Sequence, residues 1–190
     1  MQDNLSKYRN SENYHYTMYS YNTNKYVIKD IYCLGEKKLV SITNVVDGEK
    51  TVNKVFINAD KMNIYTEKNN KKIANINKDG RFYEQIPDNL YTENFLQTII
   101  GSAFASVKKV KCNGIESYYV ENFASPFVLS EGGIYLNKDT GLPIRVMSSN
   151  SITNFQKENQ SGEITDYIFE FNNVKEENFQ EPNIADYEVQ

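Results

Sequence analysis

Short stretches in which apolar and polar residues alternate run through most of the chain. A period of two predicts β-strands, because successive side chains of a strand point to opposite faces. In the second stretch, for example, Tyr26, Ile28, Tyr32 and Leu34 are expected to share a face. The predicted strands are 14–21, 26–34, 38–45, 52–58, 62–66, 72–76, 107–112, 116–123 and 164–171, together with both arms of a hairpin over 132–147. Residues 148–155 either extend that hairpin or form the next strand.

Turn residues separate these stretches at intervals of about eight to twelve residues, a spacing typical of antiparallel sheets and barrels. Asp47-Gly48 is the strongest of these signals, since such a pair suits a two-residue hairpin. Parallel strands would need long crossover connections, and no helical pattern separates the first six strands. The chain therefore predicts an antiparallel meander.

The hairpin over 132–147 is the clearest local unit. Ile134 and Leu136 alternate with polar neighbours before a turn at residues 138–141. In that turn we expect Asp139 to bond its own backbone and Gly141 to take a positive φ. Pro143 has no N–H to donate, so the second arm should begin at a sheet edge or with that nitrogen facing outward.

One stretch has a helical period. Residues 92–106 carry apolar side chains three and four positions apart, with Thr92 as a plausible N-cap. This helix is expected to lie across the concave side of the sheet or at its open end. Its apolar face is either ordinary core or the lining of a groove for an acyl chain or apolar peptide. The candidate groove-lining residues are Phe95, Leu96, Ile99, Ile100 and Phe104. A second, short helix is predicted at residues 3–10.

The chain is expected to be one domain over residues 1–190, with a helical or linker stub at 1–12 and an extended acidic tail at 174–190. Phe179, Pro182, Ile184 and Tyr187 are spaced as anchors for that tail. Residues 155–190 hold 2 basic and 9 acidic groups, whereas residues 1–154 hold 19 basic and 16 acidic groups. Such an acidic segment is either a solvated tail or a surface for a basic partner.

Composition argues against several classes of protein. The 15 Tyr and 10 Phe supply apolar area that the 39% hydrophobic fraction would otherwise lack, so disorder is not expected. Only three of the basic residues are Arg and the pI is about 5.2, which disfavours nucleic-acid binding. No run of 18 apolar residues exists to cross a membrane as a helix.

Candidate chemistry is sparse. His15 is the one histidine, so a hydrolytic site using a histidine base would depend on it. Cys33 and Cys112 are not in a Cys-x-x-Cys pair, and they are either two buried thiols or one disulfide between strands. No catalytic, cofactor-binding or metal site is therefore predicted. The acids considered as glycosidase-like carboxylate pairs are Glu116, Glu121, Glu131, Asp166 and Glu170.

The hairpin with its turn Asn137-Lys138-Asp139-Thr140-Gly141-Leu142-Pro143 resembles a recurring hairpin of the bacterial outer-membrane lipoprotein-carrier-like superfamily. The later segment at 167–174, followed by Phe179 and Pro182, is similar to that superfamily's closing strand and tail. The resemblance implies an α+β fold: a strongly curved antiparallel sheet, or incomplete barrel, with a central helix across its concave side. It also implies a protein that binds and does not catalyse.

Within that superfamily the chain resembles the germination lipoproteins of spore-forming clostridia. This narrower resemblance implies an exported, membrane-anchored lipoprotein whose N-terminal lipid anchor is absent from the sequence. It implies a protein partner, an N-acetylmuramoyl-L-alanine amidase that modifies the spore cortex, and no cofactor. A homodimer is a further alternative. The alternative function is a carrier or chaperone that holds acyl chains or lipoproteins in an apolar groove.

Overall fold

The structure, a computed structural model, consists mainly of β-strands in the part of the chain it describes. That part comprises residues 11–22, 25–80, 106–122, 131–149 and 162–190. The strands are β1 (Asn13–Tyr21), β2 (Lys25–Leu34), β3 (Lys37–Val46), β4 (Glu49–Asn58), β5 (Lys61–Lys68), β6 (Lys71–Asp79), β7 (Ser106–Cys112), β8 (Ile115–Asn122), β9 (Glu131–Asn137), β10 (Pro143–Ser149), β11 (Gly162–Phe171) and β12 (Glu188–Val189). Two 3₁₀ turns, Glu176–Phe179 and Ile184–Asp186, lie between β11 and β12.

These strands form a 12-stranded sheet in the order β12-β6-β5-β4-β3-β2-β1-β11-β10-β9-β8-β7. The pairs from β2 to β6 and from β7 to β11 are antiparallel, which confirms the predicted meander. One pair departs from it, because β12 runs parallel to β6 with Glu188 opposite Ile73. A parallel neighbour needs a long connection, and β12 has one since it lies far from β6 in sequence.

Several hairpins close through two-residue turns with positive φ, as their sequences predict. Asp47 and Gly48 have φ of 49° and 83°, and Asn113 and Gly114 have φ of 50° and 81°. Two positive φ angles in succession give a turn whose twist matches that of the flanking strands. Glycine and asparagine tolerate this region, so the register of these strand pairs is determined locally.

The hairpin of β9 and β10 forms where predicted. In its turn the side chain of Asn137 accepts hydrogen bonds from the backbone N–H groups of Asp139 and Thr140 at 2.8 and 3.1 Å. Gly141 has the predicted positive φ, 75°. Pro143 is the first residue of β10, an interior strand, and a register shift follows it. Of the two expected arrangements, the sheet-edge position is therefore wrong, and the outward-facing nitrogen stays a prediction; a strand's first residue tolerates a missing N–H.

The described strands belong to two compact units. The larger unit contains residues 11–19, 25–80 and 168–190, and the smaller contains 20–22, 106–122, 131–149 and 162–167. Each unit has its own cluster of buried apolar side chains. The single domain over 1–190, with its stub at 1–12 and tail at 174–190, stays a prediction.

Both faces of the larger unit's sheet are buried. Ile31, Val40 and Val55 are paired across β2, β3 and β4, and they are 0%, 0% and 2% exposed. The next residues along these strands lie on the opposite face and are also largely covered: Tyr32, Leu39 and Phe56. Tyr26, Ile28, Tyr32 and Leu34 share one face of β2, as alternation predicts. The most buried residues of the strand, Ile31 and Cys33, lie on the other face.

The buried cluster of the smaller unit includes residues of the hairpin formed by β9 and β10. Val120, Ile134 and Leu136 form its buried cluster, so the two apolar residues that alternate along β9 share a buried face. The ring of Tyr119 lies so close to Gly133 that a Cβ there would overlap it. Gly133 is therefore explained by this close approach to an aromatic ring on the neighbouring strand.

The helical predictions fall almost entirely outside the described residues. This applies to the short helix at 3–10 and to the central helix at 92–106, of which only Ser106 is described, as the first residue of β7. The candidate groove-lining residues also lie outside: Phe95, Leu96, Ile99, Ile100 and Phe104. Across the described ranges the helical structure is limited to the two 3₁₀ turns near the C-terminus.

Candidate functional site

The one histidine of the chain lies in a polar cluster of the larger unit. His15 of β1 stacks on the ring of Tyr32, with centroids 4.1 Å apart and planes 8° apart. Its Nδ1 lies 2.9 Å from Oε2 of Glu170, and its Nε2 lies 3.3 Å from Oδ1 of Asp30. The Thr17 hydroxyl donates to the same Asp30 oxygen at 2.7 Å. Strands β1, β2 and β11 thus build this group, the His15 cluster, from five side chains.

The cluster favours the charged form of its histidine. Burial lowers the pKa of His15, but hydrogen bonds and charge from Asp30 and Glu170 outweigh it, so the pKa lies above the usual 6.5. Burial raises the pKa of Asp30, and the hydrogen bonds from His15 and Thr17 reverse this, so it lies below the usual 3.8. Below this raised pKa, His15 is an imidazolium held between two carboxylates.

This geometry suits a structural ion cluster better than a hydrolytic site. A general base needs an imidazole nitrogen directed at a nucleophile or at the substrate's proton. Both nitrogens of His15 face carboxylate oxygens, and the Thr17 hydroxyl donates its hydrogen bond to Asp30. Thr17 is also only 5% exposed, so a substrate could not reach its oxygen. The contacts of His15 therefore do not support the hydrolase hypothesis.

Three of the candidate carboxylates each have a cationic neighbour of their own. Asp166 receives two hydrogen bonds from Arg145, Nε to Oδ1 at 2.5 Å and Nη2 to Oδ2 at 2.8 Å. This pairing raises the pKa of the Arg145 guanidinium above its usual value. Glu116 lies 3.5 Å from Lys111, and Glu170 belongs to the His15 cluster. The two remaining candidates lie on neighbouring strands β8 and β9: Glu121 and Glu131.

The two cysteines are separate buried thiols. Cys33 and Cys112 are both free, so the alternative of a disulfide between them is not realised. Burial is the main reason that the pKa of each thiol is raised. A raised pKa keeps a thiol protonated at neutral pH, and the thiolate is the reactive form. Both thiols are therefore buried and held in their less reactive form.

The C-terminal strap, residues 174–190, covers one face of the larger unit's sheet. Phe179 and Tyr187 of the strap pack on a cluster that includes Phe56 and Tyr65. The Tyr65 ring meets that of Phe56 edge-on at 5.7 Å and that of Tyr187 at 5.1 Å. Of the other predicted anchors, Ile184 is exposed. The aromatic residues of the strap therefore complete an apolar layer on this face.

Carboxylates attach the strap to the same face. Glu181 accepts hydrogen bonds from the Tyr65 hydroxyl at 2.6 Å and from the Asn63 amide at 2.9 Å. The Tyr187 hydroxyl donates to Glu67 at 2.5 Å. Burial, followed by the effect of Glu67, raises the pKa of Tyr187 to about 12. Both tyrosines are thus held protonated as donors to carboxylates.

Both ends of the strap are also held. At its start the Asn13 side chain donates to the carbonyl of Val174 and accepts from its N–H, at 3.2 and 3.0 Å. Nζ of Lys37 lies 2.5 Å from Oε2 of Glu176. At its end the N–H of Gln190 donates to a β6 carbonyl at 2.9 Å. Sequence reasoning identified the acidic segment but not its location on the chain's own sheet, because charge alone does not name a partner.

Two surface cavities lined by described residues are polar. One, of about 460 Å³, lies beside the ends of hairpins β3–β4 and β5–β6, with Lys50, Lys68, Lys71 and Lys72 among its lining residues. The other, of about 330 Å³, lies where the strap meets the sheet, between Lys37, Lys61 and Glu181 among others. Neither has the apolar lining expected of an acyl-chain site.

In the part of the chain that the structure describes, no group of three or more His, Cys, Asp or Glu side chains could hold a metal ion. The same part contains no helix long and apolar enough to cross a membrane.

Comparison with solved structures gives the fold. No protein-family model matches the chain, and no curated protein matches it. A MucA/MucB complex from Pseudomonas aeruginosa matches with a TM-score of 0.51 at 13% identity, over 100% of this chain and 62% of that one. MucB bound to the periplasmic part of MucA has a TM-score of 0.47 at 12% identity, over 95% and 58%. A LolA superfamily protein from Nitrosomonas europaea has a TM-score of 0.31 at 9% identity, over 94% and 95%.

The likeness to the MucB structure, together with the large and mostly antiparallel sheet, bears out the expected fold in part. The expected central helix lies outside the described residues. At 13% identity the likeness shows the fold alone. The chain spans about three fifths of that protein's length.

Proposed function

We propose that this chain is a non-catalytic, exported lipoprotein that acts by binding a protein partner. The proposed partner is an N-acetylmuramoyl-L-alanine amidase that modifies the spore cortex of a Gram-positive spore former. A lipid anchor attached N-terminal to this sequence would hold the protein at the membrane. Activation of the amidase would then follow from complex formation, with no chemistry performed by this chain.

The proposal rests on one observation: polar and aromatic side chains of the larger unit contact one another within the chain. His15 is held between carboxylates, and one sheet face is filled by aromatic side chains of the chain's own strap. Among the described residues, these groups are engaged in intramolecular contacts and do not surround a substrate-sized apolar cavity. A binder that recognises its partner through an outer surface fits this arrangement.

The fold comparison supports protein binding in a second way. MucB, which has a similar fold, has been solved in complex with the protein MucA. A fold can host unrelated functions, so this likeness supports a protein partner and does not identify one. The amidase assignment rests on the resemblance of the sequence to germination lipoproteins.

An acyl or lipoprotein carrier is the alternative. The same fold is compatible with it, and the candidate groove residues at 95–104 belong to this hypothesis. Against it, Phe56, Tyr65, Phe179 and Tyr187 pack against each other on the described face. Mass spectrometry of lipids that co-purify with the protein would distinguish the two functions, since a carrier should retain acyl lipids in near-stoichiometric amounts.

The direct test is to mix the purified chain with purified candidate amidases. We expect a complex of defined mass by multi-angle light scattering and an increase in amidase activity on cortex fragments. The chain unfolded by heat serves as the control and should neither bind nor activate. If the folded chain forms no complex and leaves the activity unchanged, the amidase is not its partner.

A further inference from the structure

A cavity of about 460 Å³ lies at one end of the larger unit's sheet, beside the tips of the hairpins β3–β4 and β5–β6. This volume is within the range of ordinary small-molecule sites. The full chain has a net charge of −4, so a positive site would not follow from an overall basic composition. The charged residues that line the cavity are four lysines and two glutamates, which sum to +2: Lys50, Lys68, Lys71, Lys72, Glu49 and Glu67.

One of the two glutamates is already engaged within the chain. Oε1 of Glu67 accepts a hydrogen bond from the Tyr187 hydroxyl at 2.5 Å and lies 3.8 Å from Nζ of Lys72. Nζ of Lys72 also lies 5.5 Å from the centroid of the Tyr187 ring. Lys72 and Glu67 therefore offset each other's charge. The remaining charged groups of the lining are three lysine ammoniums and the carboxylate of Glu49.

The other three lysines lack this compensation. Lys50, Lys68 and Lys71 are exposed, and they form no ion pair within the part of the chain that the structure describes. Lys68 and Lys71 are directly opposite each other in the β5–β6 pair, on either side of the turn at residues 69–70. Like charges at directly opposed positions destabilise a strand pair. An anion bound in the cavity would offset this repulsion.

The lining side chains indicate the kind of anion. An arginine guanidinium pairs with a planar carboxylate through two parallel hydrogen bonds, and no arginine is among the described residues that line this cavity. A lysine ammonium acts as a point charge that can contact an oxygen atom from many directions. Phosphate groups are tetrahedral, so their oxygens can contact several ammoniums at once. The lysines therefore suit phosphate better than carboxylate.

We propose that this hairpin-tip cavity is a site for a ligand that carries two or more clustered phosphate groups, held by Lys50, Lys68 and Lys71. The same chemistry is presented by a soluble oligophosphate and by the headgroups of an anionic lipid surface. The proposal does not depend on the identity of the protein partner, because no residue of the cavity is assigned to that contact.

Titration of the intact chain with inorganic tripolyphosphate, followed by nuclear magnetic resonance, tests the site. At a constant ionic strength of about 0.1 M, charges more than about 10 Å apart are largely screened from one another. We expect saturable shifts of backbone amide signals that are largest within residues 48–52 and 67–72. Citrate, a tricarboxylate, should bind at least about tenfold more weakly. Absence of saturable shifts in these ranges, or equal binding of citrate, overturns the inference.

Matched variants test the role of the lysines. Replacing the three proposed ligand-binding lysines by Gln should weaken tripolyphosphate binding at least about tenfold, because each charge beside the anion contributes a few-fold. The control replaces three exposed lysines elsewhere in the larger unit and should change the affinity by less than about twofold. The control substitutions are Lys61→Gln, Lys78→Gln and Lys175→Gln. Equal losses in the two variants would show non-specific attraction to lysines and overturn the inference.

Urea unfolding separates a ligand site from a structural role. Because Lys68 and Lys71 repel each other, the triple variant Lys50→Gln, Lys68→Gln and Lys71→Gln should unfold at the same urea concentration as the unaltered chain or at a higher one. Saturating tripolyphosphate should raise the midpoint of the unaltered chain and leave that of the triple variant unchanged. A triple variant that is less stable without ligand would show that these lysines serve the fold, and the inference would fail.

Vesicle binding then identifies the source of the phosphate groups. The intact chain and the triple variant are sedimented with vesicles that contain phosphatidylglycerol, and with vesicles of phosphatidylcholine alone. Binding to the anionic vesicles that the triple variant loses would assign the site to lipid headgroups. Binding of tripolyphosphate without binding to these vesicles would assign it to a soluble oligophosphate. Both results uphold the phosphate site, and binding of neither probe overturns it.

Discussion

His15 links the charge state of one side chain to the stability of the fold. Its pKa is raised in the folded state, so its contribution is fully present below the usual value of 6.5 and is lost as pH rises through the folded-state pKa. The pKa of Asp30 is lowered, so its contribution is present above 3.8 and is lost as pH falls through the folded-state value. The cluster therefore stabilises the fold most between these two limits.

The substitution His15→Gln tests this linkage. We expect the free energy of unfolding of the unaltered chain to fall by about 1 kcal/mol between about pH 6 and about pH 8, as the imidazolium loses its proton. The variant should lack this decrease and should be less stable at the lower pH. Urea unfolding at both pH values measures it. The same decrease in the variant would place the titrating group elsewhere.

At Ala59 the backbone conformation is expected to affect the stability of the fold. It has a φ of 53° in the turn between β4 and β5, a region that costs an L-residue with a Cβ about 1 kcal/mol. Ala59→Gly should therefore stabilise the chain by about that amount in chemical unfolding. Ala74→Gly, at a fully buried strand position, should destabilise it by a similar amount or more. If both substitutions destabilise, strain at Ala59 is absent.

Among the elements, the strands and the strap differ in how they are specified. Strand pairs such as β3–β4 are specified locally, because Asp47-Gly48 determines the turn and alternation determines the faces. The sequence therefore predicts most of the described strands and the alternation of apolar residues along β9. The strap has no such local signal. Its position depends on contacts such as Glu181 with Tyr65, between residues that are far apart in sequence.

Phe179→Ala tests whether the strap contributes to stability. The ring is half-buried against the cluster of Leu39, Phe56 and Tyr65, so its removal should lower the free energy of unfolding by about 2 kcal/mol. Val189→Ala is the control, since Val189 is 57% exposed and should matter by less than about 0.5 kcal/mol. Chemical unfolding measures both. Equal effects of the two substitutions would show that the strap is held by something other than aromatic packing.

For the whole molecule, the strap determines the formal net charge and covers apolar side chains of the sheet. Residues 174–190 hold one basic and five acidic groups, a net charge of −4, which is the net charge of the full chain. A chain that ends at residue 173 therefore has a net charge of zero. It also exposes the cluster around Phe56 and Tyr65, which Phe179 and Tyr187 otherwise cover.

We expect this truncated chain to self-associate at neutral pH, because zero net charge and an exposed apolar patch both favour association. Light scattering during size-exclusion chromatography measures it, and circular dichroism checks the fold. Adding Lys50→Glu, Lys54→Glu and Lys68→Glu to the truncated chain restores negative charge without covering the patch. Association that persists in this variant assigns the effect to the apolar face. A monomeric truncated chain would contradict the expectation.

The sequence by itself determined the strand positions, the turn chemistry and the antiparallel class, because these depend on residues close together in the chain. It also limited the chemistry, since one histidine and two distant cysteines offer few catalytic arrangements. Only the tertiary structure decided that His15 lies between Asp30 and Glu170, and that the acidic strap covers the chain's own sheet. These features depend on which strands that are far apart in sequence become neighbours, and local sequence patterns do not predict that pairing.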